Sequence, residues 1–386
     1  MGGFLTKLTA LLTALTVLAS GTGVKLDDLK ELAGIGTSSG DSESSMGISP
    51  IELCEDITIG WNLGNTLDAT GGYGLSSETS WGCPKTTEEL ILAVKDAGFN
   101  AVRVPTTWYN HCDKDYNIDT AWMDRVQEVV DYAYDNDMYV ILNAHHENWN
   151  DPYYSNQKTA EKIVKKLWTQ IAERFRDYDE RLIFEGMNEP RMRNTQWEWN
   201  GGNREGWDVV NAFNETFVET VRATGGNNSH RCLMIPSYAA NIDAFRKGLE
   251  LPEDDHLIVS IHAYSPYNFA MNTGGGATNN FSADNAGQVN ELEWMAKLLY
   301  DECISKGVGA IIGECGATDK GNLQQRINWA KCFPEVFGRY GIPVFLWDNN
   351  AFGTGGEKYG LIKRSTLEWA YPTYIKALVD TAEKAK

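Results

Sequence analysis

Phe184-Glu185-Gly186-Met187-Asn188-Glu189-Pro190 is the stretch that decides the architecture. It continues an apolar run that reads as a buried strand over 182–186. It stops at Asn-Glu-Pro, where proline offers no ladder donor and fixes the turn. Glu189 is thereby expected at a strand's carboxyl end, where α/β barrels keep catalytic groups, with Asn188 beside it as a neutral hydrogen-bonding partner. Alone, the heptad leaves two readings open: a reagent carboxyl, or a member of a structural ion pair.

Seven more short apolar runs, at 57–62, 101–105, 139–143, 232–236, 257–262, 310–314 and 343–347, alternate with long amphipathic stretches. Eight strands alternating with helices predict an α/β fold of the (β/α)8 TIM-barrel type. A doubly wound open sheet usually has fewer strands and would want a Gly-rich phosphate turn after the first. Helices are expected over 87–97, 121–134, 159–178, 207–223, 291–304, 323–337 and 367–382. In 159–178, Ile163, Val164, Leu167, Trp168, Ile171, Ala172 and Phe175 recur at helical period and read as the face packed on the barrel.

Residues 1–22, with Lys7 ahead of an apolar segment and Ser20-Gly21 after it, have the pattern of a secretory signal peptide. The Gly/Ser-rich tract within 23–47 reads as a linker, because such a composition cannot offset the entropy of ordering. A single catalytic domain is expected over 48–386, extracellular and monomeric. Asn214-Glu215-Thr216, Asn227-Asn228-Ser229 and Asn280-Phe281-Ser282 fit a glycosylation pattern that matters only in a eukaryotic secretory host.

A net charge of -19 argues against nucleic acid or an anionic membrane as partner and suits a neutral substrate, although most of that acidity serves solubility. With 13 Trp, 17 Tyr and 13 Phe, the chain has flat rings to spare for holding sugar faces. Seven cysteines without a Cys-x-x-Cys pair give no support to a zinc ribbon or a redox motif, and an odd number leaves at least one thiol free.

If the barrel is right, function collects where the strands stop. The first strand ends in Trp61-Asn62-Leu63-Gly64, and the second in Arg103-Val104-Pro105, an arginine aimed among carboxylates. The third ends in Asn143-Ala144-His145-His146-Glu147. The His pair lacks His-x-x-x-His spacing and has no His-x-His partner, so His145 and His146 read as groups that bond ligand hydroxyls or a carboxylate rather than zinc. The sixth strand ends in His262-Ala263-Tyr264-Ser265-Pro266-Tyr267, and the eighth in Trp347-Asp348-Asn349, with Trp347 read as a sugar platform. The seventh run ends in Gly313-Glu314-Cys315-Gly316. Two glutamates, Glu189 and Glu314, facing one another across a barrel mouth are the apparatus of glycoside hydrolysis.

These motifs, in order from Gly60-Trp61-Asn62-Leu63-Gly64-Asn65-Thr66-Leu67-Asp68 to Trp347-Asp348-Asn349, resemble glycoside hydrolase family 5, most closely its subfamily 4 of endo-β-1,4-glucanases, xyloglucanases and mixed-linkage glucanases. One departure is Cys315, where the family usually shows an aromatic or another residue. The resemblance implies a retaining double displacement with Glu314 as nucleophile and Glu189 as acid/base, a β-glucan polysaccharide as substrate, and no cofactor or metal. Arg103 and Tyr264 would keep Glu314 ionised, and Glu189 needs a less charge-stabilising setting. Asn188 would bond the sugar 2-hydroxyl, and His145 and His262 would orient carboxylates and substrate hydroxyls. Asn62, His145, His146, Trp347 and Asn349 are expected to contact substrate, as are Trp149 and Tyr267, which join Trp197 and Trp199 as candidate stacking rings on loops. A retaining pair of carboxyls should lie about 5 to 5.5 Å apart and an inverting pair about 6.5 to 9.5 Å. A mannanase or xylanase on the same fold, or a non-catalytic sugar-binding barrel, are the alternatives.

Overall fold

The computed structural model describes residues 47–386. The expected signal peptide, and all of the expected linker but Gly47, lie outside the described residues. Eight parallel strands close into a barrel: β1 Gly60–Leu63, β2 Ala101–Val104, β3 Tyr139–Asn143, β4 Leu182–Glu185, β5 Leu233–Pro236, β6 Leu257–Ala263, β7 Gly309–Cys315 and β8 Val344–Asp348. Closure is explicit in the register, since Asn62 of β1 pairs with both Arg103 of β2 and Trp347 of β8. Strands covered on both faces need no polar alternation, which is why they read as short apolar runs.

Alternate residues fill the barrel axis. Ala101, Ile141, Ile183, Met234, Ile258, Ile311 and Phe345 pack there with Leu53 and Cys54. The last two come from the helix Pro50–Asp56, whose start is fixed by a Ser49/Glu52 capping box and which stoppers the lower end. Gly60 makes room for Phe345: a Cβ there would lie 2.1 Å from the ring. The larger core lies between strands and outer helices. The helix Tyr154–Arg174 buries Ile163, Val164, Leu167, Trp168 and Ile171, each worth about 1.5 to 3 kcal/mol when fully buried. Trp168 Nε1 also donates to the Gly186 carbonyl at 3.0 Å, tying that helix to the end of β4.

Two expected helices differ. The stretch 323–337 is a pair, Leu323–Ala330 and Phe333–Gly338, because Pro334 lacks an N–H and starts a new helix. The stretch 367–382 opens with the strand Glu368–Trp369 paired to Ile362–Lys363, and its helix is Pro372–Lys384. All seven cysteines are free thiols.

Candidate active site

Continuing the inward alternation upward from the apolar layer places Asn62, Arg103, Asn143, Glu185, Ser260, His262 and Trp347 toward the barrel mouth. Strict alternation along β7 from Ile311 would aim Glu314 outward. A register shift prevents this: Ile261 pairs with Ile312 but His262 pairs with Glu314, so Gly313 is the extra residue of a bulge that turns the carboxylate inward.

Arg103 is the hub, with no exposed surface. Its Nε donates to Glu185 Oε2 at 2.7 Å, Nη1 to Glu314 Oε1 at 2.8 Å and Asn62 Oδ1 at 2.9 Å, and Nη2 to Asn188 Oδ1 at 2.7 Å. The last bond fixes the Asn188 amide: its oxygen faces the guanidinium, which leaves its NH2 for a ligand. Glu314 also accepts from the Tyr264 hydroxyl at 2.9 Å. Glu185 is held by Asn143 Nδ2 at 3.0 Å and the Ser260 hydroxyl at 2.7 Å.

Glu189 faces Glu314 across the mouth, and one carboxyl oxygen of each, together with a ring nitrogen of His262, lie within 4.8 Å of one another. His262 Nδ1 is 2.7 Å from Glu189 Oε1 and 3.7 Å from Glu314 Oε2. Burial works to raise Glu189, but the His262 hydrogen bond and the positive charges of His262 and Arg191 outweigh it, so the carboxyl falls below its ordinary value. Burial likewise opposes charging of His262, yet the two glutamates hold it above the usual imidazole range. The expected weakly stabilising setting for Glu189 is thus corrected: one proton belongs to the Glu189–His262 pair as a unit.

The histidines after β3 are neutral. Burial, with the charges of His146 and Arg103, drives His145 well down, and burial drives His146 to about 4. Asn143 Oδ1 accepts from the Thr106 N–H, so its NH2 points at His145 Nδ1 (3.1 Å). His145 therefore carries its proton on Nε2 as a donor. Trp347 lies parallel to His145 at 5.9 Å, at an interplanar angle of 3°. Gly64 is what lets the indole lie there, since a Cβ would come within 2.7 Å of it. Among the described residues, two donor sets have the composition of a metal site, Asp68/His145/His146 and Glu189/His262/Glu314. In the first, the Asn143 bond occupies His145 Nδ1; in the second, Arg103 and Tyr264 already satisfy Glu314.

Three expected substrate contacts are corrected. Asn62 is fully buried, with its oxygen on Arg103 and its NH2 on the Gly313 carbonyl at 2.9 Å, so it braces the site from below. Trp149 is core, packed edge-on against Phe213 with Nε1 on Glu147 Oε2 at 2.7 Å. Asn349 spends its amide on the Glu357 carbonyl and the Ala351 N–H. Trp197 packs against the cluster around Met192 and Tyr238. Trp199 and Tyr267 remain open, at 60% and 57% exposure, and the Arg191 guanidinium lies 4.1 Å from the Trp199 ring.

Sequence reasoning passed over Glu185, Asn143 and Trp81. A carboxylate inside an apolar strand must be paired, and that signal was present at Glu185. Trp81 is 42% exposed and reaches to 5.5 Å from the His146 ring, on a loop with no strand-end marker.

An eight-stranded parallel barrel with two opposed glutamates, an arginine hub and aromatic walls at its mouth defines a hydrolase of the glycosidase class. The comparisons place it further. The family model for cellulase (glycosyl hydrolase family 5) matches residues 67–353, and the chain belongs to that family. It is 48% identical over 349 residues to endoglucanase B of Neocallimastix patriciarum, covering 88% of this chain and 73% of that protein. Among solved structures, a GH5-4 broad specificity endoglucanase from Ruminococcus champanellensis with bound cellotriose superposes with a TM-score of 0.81 at 47% identity, over 86% of this chain and 98% of that one. A GH5 lichenase from Caldicellulosiruptor sp. F32 in complex with cellotetraose gives 0.83 at 40% identity, over 87% and 96%. The protein is a glycoside hydrolase of the endoglucanase type.

Proposed function

We propose that the chain is a secreted, retaining endo-β-1,4-glucanase acting on internal bonds of mixed-linkage β-glucan and cellulose, and on xyloglucan. The observation that carries the reading is the opposition of Glu189 and Glu314, with carboxyl oxygens within 4.8 Å. One oxygen of each carboxyl lying within 4.8 Å of the other supports the closer, retaining separation of about 5 to 5.5 Å over the about 6.5 to 9.5 Å of inverting pairs.

In the first step a Glu314 oxygen bonds to the anomeric carbon while the glycosidic C–O bond breaks and the Glu189–His262 pair supplies the proton to the leaving oxygen. In the second, Glu189 takes a proton from water as that water's oxygen displaces Glu314, which regenerates both carboxyls. Arg103 and Tyr264 favour the departing, ionised form of Glu314, and the Asn188 NH2 is free for the 2-hydroxyl, whose bond strengthens in the transition state. Trp347 supplies a flat face at the reacting sugar, and Trp199 and Tyr267 supply stacking faces farther out. The pattern in residues 1–22 supports secretion.

The test is a panel of barley β-glucan, carboxymethyl cellulose, xyloglucan, glucomannan and xylan, with product lengths and the anomer first released followed by NMR. Internal cleavage of the glucans with β-products is expected. First-formed α-products, or activity on xylan or mannan alone, would overturn the reading.

A further inference from the structure

Glu185 is a carboxylate that takes no part in the two steps described above, yet it is wired to one of their reagents. It has no exposed surface, so it meets neither water nor substrate. On β4 it stands beside Asn143 of β3 and Met234 of β5 in the register. Its Oε1 accepts from the hydroxyl of Ser260, which precedes His262 on the inward face of β6, and its Oε2 accepts from Asn143 Nδ2 at 3.0 Å and Arg103 Nε at 2.7 Å. Asn143 and Ser260 are neutral donors, so among the described residues its charge is met by Arg103. That guanidinium also pairs with Glu314 at 2.8 Å. One buried cation thus serves two buried carboxylates. Burial opposes charge on Arg103, but the charges of Glu185 and then of Glu314 hold it above its ordinary value. The other titratable groups facing Glu314 are His262 at 3.7 Å and Tyr264 at 2.9 Å, both from β6, and Glu189 across the mouth. Stability does not account for a second carboxylate here, because apolar side chains of similar volume commonly replace buried ion pairs without loss.

We infer that Glu185 is a positioning residue that acts through Arg103: by taking part of the guanidinium's charge it keeps Arg103 from over-stabilising Glu314, and so sets the balance between attack and release. In the first step a Glu314 oxygen gives an electron pair to the anomeric carbon, the glycosidic C–O bond breaks, and the leaving oxygen takes the proton of the Glu189–His262 pair. Glu314 gives up its charge there, so a cation that holds this charge opposes the step. In the second, the oxygen of water bonds to the anomeric carbon, its proton goes to Glu189, and the electron pair of the ester C–O bond returns to Glu314. The same cation assists that step. A guanidinium committed wholly to Glu314 would hasten release and retard attack; one divided between two carboxylates serves both. The inference rests on the proposed retaining reading and deepens it.

E185Q removes the charge and little else. The amide oxygen can take the bonds from Arg103 and Asn143 while its NH2 meets the Ser260 hydroxyl, whose oxygen also accepts. A 2,4-dinitrophenyl 2-deoxy-2-fluoro-β-cellobioside separates the half-reactions: the rate of inactivation reads attack by Glu314, and the rate of reactivation of the isolated adduct reads release. E185Q is expected to inactivate about tenfold more slowly than the wild type and to reactivate at least as fast, whereas a role confined to packing would slow both. E185D keeps the charge, so the ratio of its two rates should stay within about threefold of the wild-type ratio, whatever each rate does. If E185Q does not fold, that ratio decides. Both rates falling together in E185Q, both unchanged, or a ratio moved by about tenfold in E185D would overturn the inference. A wild-type protein that gains no fluorocellobiosyl mass would instead sink the retaining reading, and the inference with it.

Discussion

Arg103 and Glu314 form an ion pair at 2.8 Å whose side chains are 0% and 7% exposed. A pair so placed is not exchanged for water, so the carboxylate stays aimed whether or not the cleft is filled. The same guanidinium bonds Glu185, Asn62 and Asn188, so one planar fork sets the positions of four side chains.

Arg103→Lys keeps the charge but not the fork, since an ammonium cannot serve acceptors spread around a plane. One ammonium cannot pair both Glu185 and Glu314, and leaving either carboxylate buried without its ion-pair partner costs about 3 to 5 kcal/mol. The melting temperature should fall markedly, and kcat/KM on β-glucan should drop by at least about 100-fold, equivalent to roughly 3 kcal/mol of transition-state stabilisation. Thermal melts and initial rates check both; a variant with wild-type kcat/KM would remove Arg103 from its assigned place.

Glu314→Ala should abolish hydrolysis of an aryl β-cellobioside carrying a good leaving group, and millimolar azide should restore part of the rate. Azide enters from the face Glu314 vacated, so the product should be the α-glycosyl azide, identifiable by NMR. Full activity without azide would sink the nucleophile assignment.

The pH profile reads the Glu189–His262 pair. His262 is held above its usual range, near 6.5, so the pair keeps one proton until the pH rises through that elevated value. His262→Ala leaves Glu189 alone, a carboxyl whose ordinary value is about 4.3 and which burial raises. The alkaline limb of kcat/KM should therefore move to lower pH, with the rate falling about 10- to 1000-fold even at the optimum, as befits impaired general acid catalysis. A limb that stays in place would show that Glu189 titrates independently of its neighbour.

The barrel was legible because parallel strands buried on both faces read as unbroken apolar runs, and strand ends such as Asn188-Glu189-Pro190 mark themselves with polar groups and proline. What was hidden was direction. Nothing in Gly313-Glu314-Cys315 announces that a bulge turns Glu314 inward, because register depends on the neighbouring strand. Nor could the chain alone separate side chains that meet substrate from those that hold them. Asn62 and Asn349 sit at strand ends as a ligand-binding amide would, but each has its amide satisfied by the protein. Glu189 shows the same limit in electrostatic form, since the charge of His262 reverses the effect that burial alone would have.

Tryptophans next to the cleft divide on the same principle, and a pair of substitutions tells them apart. Trp149 is 5% exposed and donates to Glu147, a carboxyl that also accepts from the Trp108 and Tyr109 N–H groups. Trp149→Phe deletes one of those donors, so stability should fall by about 1 to 3 kcal/mol while KM for β-glucan stays within about twofold. Trp199 is 60% exposed, with the Arg191 guanidinium beside its ring. Trp199→Ala should leave the melting temperature within about 2 °C, since exposed sites contribute little, and should raise KM for long β-glucans by about 2- to 10-fold, the worth of one stacked ring. Melting curves beside KM on barley β-glucan decide it. A rise in KM from Trp149→Phe with unchanged melting would return that ring to the cleft, and an unchanged KM in Trp199→Ala would take Trp199 out of it.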